Sequence, residues 1–491
     1  MSDACADIQF ALISHTNNGK TTLVRTLTGI DVGEVRDAAH VTQFAESHLL
    51  LTTPQGDTLQ LWDTPGFGDS VRLFKRLGMS GNPIGWFLRE VLDRYRDRPF
   101  WLSQQALRTA RDAADVVLYL VNSSENPSDA GYLASEMKIL AWLGKPVVVL
   151  LNQMGAPRPA PDEQKEQARW QQHLAQYGIV REVLALDAFA RCWVHERVFY
   201  ETVGKLVVAP KQAGYARLAA AWNASNTERF HAAMRLTSQQ VVAAARDSAP
   251  IVADKKTLLR SALKVVGLGR RGVQQGDKAM AMLVARLDLC MEHTTAGLLA
   301  LHKLDPGHAA NINARVRENF IVRAPIDKAQ AGLLGAVISG AATGLSADLI
   351  AGGLTLGAGA LLGGAVGALT FAGAAWGFNA KTDRNQPSMQ FSVEFLRTLL
   401  VASILRYLAV AHFGRGRGNF QEGEAPAFWQ QEVEQAVALQ GADLSALWQA
   451  LRKDADGEKN LLDAERIVTQ IASHTLMRLY PAYSENGELS E

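Results

Sequence analysis

Ile8-Gln9-Phe10-Ala11-Leu12-Ile13-Ser14-His15-Thr16-Asn17-Asn18-Gly19-Lys20-Thr21-Thr22-Leu23-Val24-Arg25-Thr26-Leu27 decides the fold. An apolar run from Ile8 to Ile13 leads into a short polar loop with one glycine, and a helix-like segment follows. Strand, glycine-bearing loop and helix, in that order, are the context a phosphate-binding P-loop requires. In that geometry successive backbone N–H groups, from Asn17, Asn18, Gly19 and on to Thr22, converge on an anion at the helix N-terminus. Lys20 reaches the β- and γ-phosphates, and Thr21 places its hydroxyl on Mg²⁺. Ser14 stands where the first glycine of the motif usually does, and its small side chain still allows the loop to close.

A second motif lies where the first one needs it. Asp63-Thr64-Pro65-Gly66 ends the strand-like run Thr58-Leu59-Gln60-Leu61-Trp62. A carboxylate at the tip of a buried strand beside a P-loop is positioned to bind Mg²⁺ through water. Gly66 has no side chain, so its N–H can approach a γ-phosphate closely. Between the two motifs, Thr42 precedes the strand-like Phe44 to Leu51. This is the place of a switch-I threonine that closes on Mg²⁺ when the γ-phosphate is present. A plain strand-leading residue is the competing account of Thr42.

With these motifs in order, roughly the first 155 residues resemble a G domain of the TrmE/Era type. Asn17 occupies the P-loop position at which some members of that class hold K⁺. Phe67 follows the Asp-Thr-Pro-Gly tetrad where Ras-like proteins carry a catalytic glutamine. The resemblance therefore implies that the attacking water is oriented by a dimer partner, a monovalent cation or another loop. The strand Pro146 to Leu151 ends in Asn152-Gln153-Met154-Gly155, where the class carries Asn-Lys-x-Asp. Asn152 matches, whereas Gln153 and Gly155 do not, and Gly155 removes the carboxylate that pairs with the guanine edge. Asp187, after Val183-Leu184-Ala185-Leu186, is a substitute base reader, although a strand-end aspartate also serves as a cap or turn residue. The resemblance implies GTP/GDP and Mg²⁺ as ligands, K⁺ as a further ion, and a nucleotide-dependent dimer.

Composition bounds the rest. At 491 residues the chain exceeds one ordinary domain. Its formal net charge of +1 offers no global electrostatic case for nucleic acid, and none is expected as a partner. Three cysteines, Cys5, Cys192 and Cys290, lie far apart without metal-ligand spacing. That usage, with an acidic N-terminus and no secretory signal, leads to a cytoplasmic expectation. The strand and helix alternation predicts an α/β P-loop GTPase domain with a mostly parallel, doubly wound sheet over 1–208, carrying an insertion at 68–114. The basic insertion, with arginines and lysines from Arg72 to Arg98, reads equally well as a partner surface and as a solvated helical face.

After the prolines at 157, 159 and 161 strand patterns almost vanish. A mainly α-helical C-terminal region is expected, divided into 209–328, an apolar Gly/Ala-rich hairpin at 329–378, and 379–491. Between Lys328 and Lys381 the only charged residue is Asp348. Two apolar segments of about twenty residues each meet near Gly352-Gly353, close to the length that crosses a hydrocarbon core. Gly340 and Gly344, and Gly363 and Gly367, have the small-residue spacing that lets helices pack closely in lipid. A membrane-facing or partner-binding hairpin and a buried hairpin of small residues both fit, and the first adds the cytoplasmic membrane to the expected location.

The whole layout resembles a bacterial family in which such a G domain is fused to domain of unknown function 3482. The expected function is a nucleotide switch that hydrolyses GTP slowly and drives a helical, membrane-facing or partner-binding half. The alternatives are a dynamin-like membrane-remodelling GTPase and a nucleotide-binding interaction protein without turnover.

Overall fold

The computed structural model describes residues 5–28, 46–64, 66–67, 70, 98–155, 157–188, 192–250, 270–304, 376–379, 388–413, 426–453 and 457–481. These fall into two compact units, one within 1–229, 411–424 and 479–491, the other within 230–410 and 425–478. Thr42, most of the insertion at 68–114 and nearly all of the stretch 329–378 lie outside the described residues.

The first unit is built on a six-stranded sheet. Its strands are β1 (Asp7–Ser14), β2 (Glu46–Thr52), β3 (Thr58–Asp63), β4 (Val116–Asn122), β5 (Val147–Asn152) and β6 (Val180–Ala185), in the order β2-β3-β1-β4-β5-β6. Every neighbouring pair is parallel except β2 on β3. This is the expected mostly parallel, doubly wound sheet. The continuous apolar runs of β4 and β5 follow from burial on both faces, since helices cover a parallel sheet above and below. Those helices are α1 (Lys20–Thr28), α2 (Arg98–Ala113), α3 (Leu133–Leu143), α4 (Ala160–Leu174) and α5 (Trp193–Gly204). The register brings Leu12 beside Asp63, Ser14 beside Leu120 and Asn122 beside Asn152. The carboxyl ends of β1, β3, β4 and β5 therefore form one rim, where ligands bind in open α/β sheets.

Helix α6 (Ala209–Arg246) contributes its first part, up to Arg229, to this unit. It lies so close that a methyl group on Gly214 would sit 2.2 Å from the Ala6 Cβ. Lys211 pairs with Asp115 at 2.7 Å, and Arg217 grips Asp57, in the β2–β3 turn, with Nε and Nη2 both at 2.7 Å.

The second unit is mostly helical, as expected. It holds the rest of α6, then α7 (Arg270–Leu301), α8 (Val393–Phe413) as far as Val410, α9 (Ala427–Leu439), α10 (Gly441–Arg452) and α11 (Gly457–Leu479) as far as Arg478. The sequence pattern from Pro426 to Arg452 reads as one helix, but the chain turns at Gln440, where φ is −94° and ψ is 16°. A small antiparallel sheet is also present, β7 (Ser248–Pro250), β8 (Trp376–Asn379) and β9 (Ser388–Phe391), in the order β7-β9-β8. Strands of three and four residues are too short to show alternation. Helix α8 is apolar around most of its circumference and almost wholly buried from Leu399 to His412, as expected of a core helix. Among the described residues no helix is long and apolar enough to cross a membrane.

Candidate functional site

The site begins where β1 ends. Asn17 and Gly19 adopt left-handed backbone conformations, φ 66° and 85°, and α1 starts at the next residue, Lys20. Gly19 is required twice over: its φ disfavours a side chain, and a methyl group there would lie 2.6 Å from Asn152 Nδ2. The first N–H groups of α1 have no intrahelical acceptors and aim at the space beyond the strand rim. Thr21 is half-buried and Thr22 buried on the same turn.

Lys20 is only 8% exposed and donates from Nζ to Ser14 Oγ at 3.0 Å. The serine that replaces the usual glycine thus acts as a hydroxyl acceptor for the P-loop lysine. Burial lowers the Lys20 pKa, while the carboxylates of Asp63 and Glu136 pull it back up. Thr21 Oγ1 stands 3.4 Å from Asp63 Oδ2. This pair of hard oxygen donors suits Mg²⁺, which binds through one or two protein groups and completes its shell with water and phosphate oxygens. Among the described residues there is no cluster of three His, Cys, Asp or Glu side chains that would favour another metal.

Gly66 closes the phosphate end. A methyl group there would lie 3.0 Å from Lys20 Nζ and 3.1 Å from the Thr16 Cα. Phe67 is 1% exposed and packs in the apolar cluster that includes Ile13, Leu107, Tyr119 and Met137. Its backbone is tied to the P-loop on both sides: its N–H donates to Ser14 O at 3.0 Å, and its carbonyl accepts from Thr16 Oγ1 at 3.0 Å. With its ring in the core, Phe67 has no part in orienting water.

At the other end of the loop Asn152, fully buried, joins two segments. Its Nδ2 donates to Asn18 O and its Oδ1 accepts the Ala188 N–H, both at 2.8 Å. Asn18 in turn donates to Leu120 O at 3.2 Å. Gln153, with φ 57°, reaches Asn17 O from Nε2 at 3.4 Å. Asp187 accepts the Met154 N–H on Oδ2 at 2.7 Å, so its carboxylate stands against the loop that lacks the family aspartate. Around Gly155 the space is open: a methyl group there would meet nothing within 4 Å. The structure thus gathers Asn17, Asn18, Gly19, Lys20, Thr21, Thr22, Asp63, Gly66, Asn152, Gln153 and Asp187 along one rim of the sheet.

Sequence reasoning missed two residues next to this rim. Glu136 on α3 is fully buried, with Oε1 2.6 Å from His15 Nδ1 and Oε2 accepting the Tyr119 hydroxyl at 2.5 Å. The His15 ring stacks on Tyr132 at 4.0 Å between centroids. Burial pushes the Glu136 carboxyl up, and its bonds to His15 and Tyr119 oppose that shift. The available signal was a lone carboxylate among the apolar positions of α3, Leu133, Met137, Ile139 and Leu140, which the core places on one face.

A family model described as 50S ribosome-binding GTPase matches residues 9–153, and one described as Domain of unknown function (DUF3482) matches residues 171–473. No curated protein matches the chain. Among solved structures, a variant of Aquifex aeolicus Era bound to GDP·AlF4⁻ is 19% identical, covering 41% of this chain and 57% of that one with a TM-score of 0.30. Era in complex with MgGDPNP and a fragment of 16S ribosomal RNA is 19% identical, over 38% and 52%, with a TM-score of 0.28. Toc33 from Arabidopsis thaliana is 14% identical, over 38% and 72%, with a TM-score of 0.25. The chain spans about half the length of the Era structures it matches.

Proposed function

We propose, for a chain that belongs to the DUF3482 family and carries a P-loop GTPase domain ahead of that region, that it is a nucleotide switch. It binds GTP with Mg²⁺, hydrolyses it slowly, and passes the nucleotide state to its helical half. The observation that carries this is the meeting, at the ends of β1 and β3, of Lys20, the Thr21 hydroxyl and the Asp63 carboxylate below the Gly66 backbone. Lys20 and the α1 N-terminus offset the β- and γ-phosphate charge. Thr21 and Asp63 would hold Mg²⁺, with Thr42 joining when GTP is bound, and the ion would neutralise charge between the β- and γ-oxygens. The Gly66 N–H would serve the γ-phosphate.

Base recognition is assigned to Asn152 and Asp187. Asp187 takes over the work of the aspartate missing at Gly155, offering a carboxylate to the guanine N1 and N2 donors. Replacing that carboxylate by an amide inverts half of the pattern, which suits xanthine, whose C2 carries an oxygen. Asp187→Asn is therefore expected to weaken GTP binding by about tenfold or more while improving binding of xanthosine triphosphate. Fluorescent-nucleotide competition with GTP, ATP and XTP measures this. Unchanged GTP affinity would remove Asp187 from base reading, and a preference for ATP in the wild type would replace GTPase by ATPase.

Hydrolysis lacks a glutamine, and Phe67 is in the core. We assign the positive charge that other systems take from an arginine to K⁺, which Asn17 would help to hold. GTP turnover is expected to be faster in potassium than in sodium, with the difference lost in Asn17→Ala. Equal rates in the two salts would remove the cation and leave a partner, a dimer or another loop as the activator. The membrane- or partner-facing role falls to 329–378, whose composition alone supports it: 329–375 lie outside the described residues, and the last three residues form part of β8 and not of a helix.

A further inference from the structure

We propose that Glu136 is a positioning residue for GTP hydrolysis, acting through His15 to hold the P-loop and the residues after Asp63 on one support at the start of α3. This rests on the nucleotide site assigned above. A buried carboxylate is costly, and an apolar residue of similar size would serve α3 packing at least as well. Glu136 is fully buried and spends both oxygens, one on His15 of the P-loop and one on Tyr119 of β4. The His15 ring is held a second time by stacking on Tyr132, the residue before α3, whose hydroxyl donates to Glu125 Oε2 at 2.7 Å. Glu136 and Tyr132 thus fix the orientation of one imidazole, and Tyr119 and Glu125 hold those two in turn.

His15 matters because of what its backbone touches. His15 and Phe67 form a parallel bridge, and the neighbouring Ser14 and Thr16 hold the Phe67 N–H and carbonyl. A further bond joins Ser70 to Ser135 of α3, Oγ to Oγ, at 2.8 Å. The first turn of α3 therefore contacts both the P-loop, at His15, and Ser70, three residues after Phe67. The part of the loop that wraps the α- and β-phosphates, Asn17 to Thr22, comes after His15 and is held separately by Asn152. Loosening His15 should misplace the Gly66 N–H relative to the γ-phosphate and leave diphosphate binding nearly intact.

Tyr119→Phe/Glu136→Leu removes an acceptor together with its buried donor, which keeps the cost to folding small. His15 is 30% exposed and can turn to water. In the full-length double variant, single-turnover GTP hydrolysis is expected to fall by at least about tenfold, with GDP affinity within about threefold of wild type. Glu136→Gln, which can still accept from Tyr119 and donate to His15 Nδ1, should recover most of the rate. A double variant that hydrolyses at the wild-type rate overturns the proposal. So does one whose GDP affinity falls as far as its rate, because that marks plain structural damage. If the double variant does not fold, Glu136→Gln and His15→Leu decide the matter: the former must stay close to wild type and the latter must lose rate without losing GDP. Wild-type protein that binds no GTP would instead sink the nucleotide assignment on which the proposal stands.

Discussion

Lys20→Ala should abolish measurable binding of GTP and GDP while the chain stays folded. Lys20 is buried, bonded to Ser14 Oγ, and flanked by the carboxylates of Asp63 and Glu136. In the proposed site its ammonium would be the counter-charge that lets phosphates approach two acidic groups. Charge-assisted bonds contribute about 1.5–3 kcal/mol each, so losing two of them weakens affinity by a hundredfold or more. Stability of the nucleotide-free protein should move little, because the ammonium itself pays a desolvation cost in the fold. Calorimetric titration with GTP and GDP, together with the nucleotide-induced rise in melting temperature, measures both effects. A variant that keeps wild-type affinity would refute the phosphate site. One that melts far lower without nucleotide would show that Lys20 holds the fold instead.

Arg217→Ala, at the surface of α6, should be strongly destabilising. Asp57 is fully buried in the β2–β3 turn, where it also accepts from Thr53 Oγ1 at 2.7 Å and from the Ala6 N–H at 3.0 Å. The Arg217 guanidinium, joined by these bonds, holds its carboxyl well below the usual carboxylate range. Removing the arginine leaves a buried, uncompensated carboxylate, expected to cost about 3 kcal/mol at neutral pH. The pH dependence has a definite sign. The folded pKa lies below the unfolded value near 4, so the pair's contribution is present in full above that value. It is lost as pH falls toward the folded pKa. The difference between wild type and Arg217→Ala in urea unfolding should therefore be largest at pH 7 and shrink toward pH 3. A difference that stays constant across that range would mean that Arg217 acts through packing and not through Asp57.

The parts of the fold legible in the sequence were those in which local pattern and long-range arrangement coincide. The run Ile8 to Ile13 before a glycine-bearing loop, and the apolar strands β4 and β5, carry their own burial in their composition. Asp63 could be placed beside the P-loop because parallel strands in this topology leave few alternatives. Contacts between distant residues left no such trace. His15 and Glu136 are 121 residues apart, and Asp57 and Arg217 are 160 apart. Nothing in either local pattern names its partner. Ser14 was read as a tolerated departure, and only its 3.0 Å contact with Lys20 reveals a use for the hydroxyl. Strands β7, β8 and β9 are too brief to register as periodic. Asp187 is singled out by chemistry, because a missing aspartate at Gly155 calls for a replacement; the structure places its carboxylate against Met154 of the same loop.

The burial of Phe67 also sets an energy scale for switching. Moving a buried phenyl ring into water costs about 2 kcal/mol, a bias of roughly thirtyfold toward the observed position of Phe67. Any cycle that withdraws Phe67 must overcome that bias with the difference in affinity between triphosphate and diphosphate. A nucleotide pair that differs by less would leave the loop shut in both states. In the proposed switch, Phe67 would thus act as a spring whose stiffness sets how decisive the γ-phosphate signal must be.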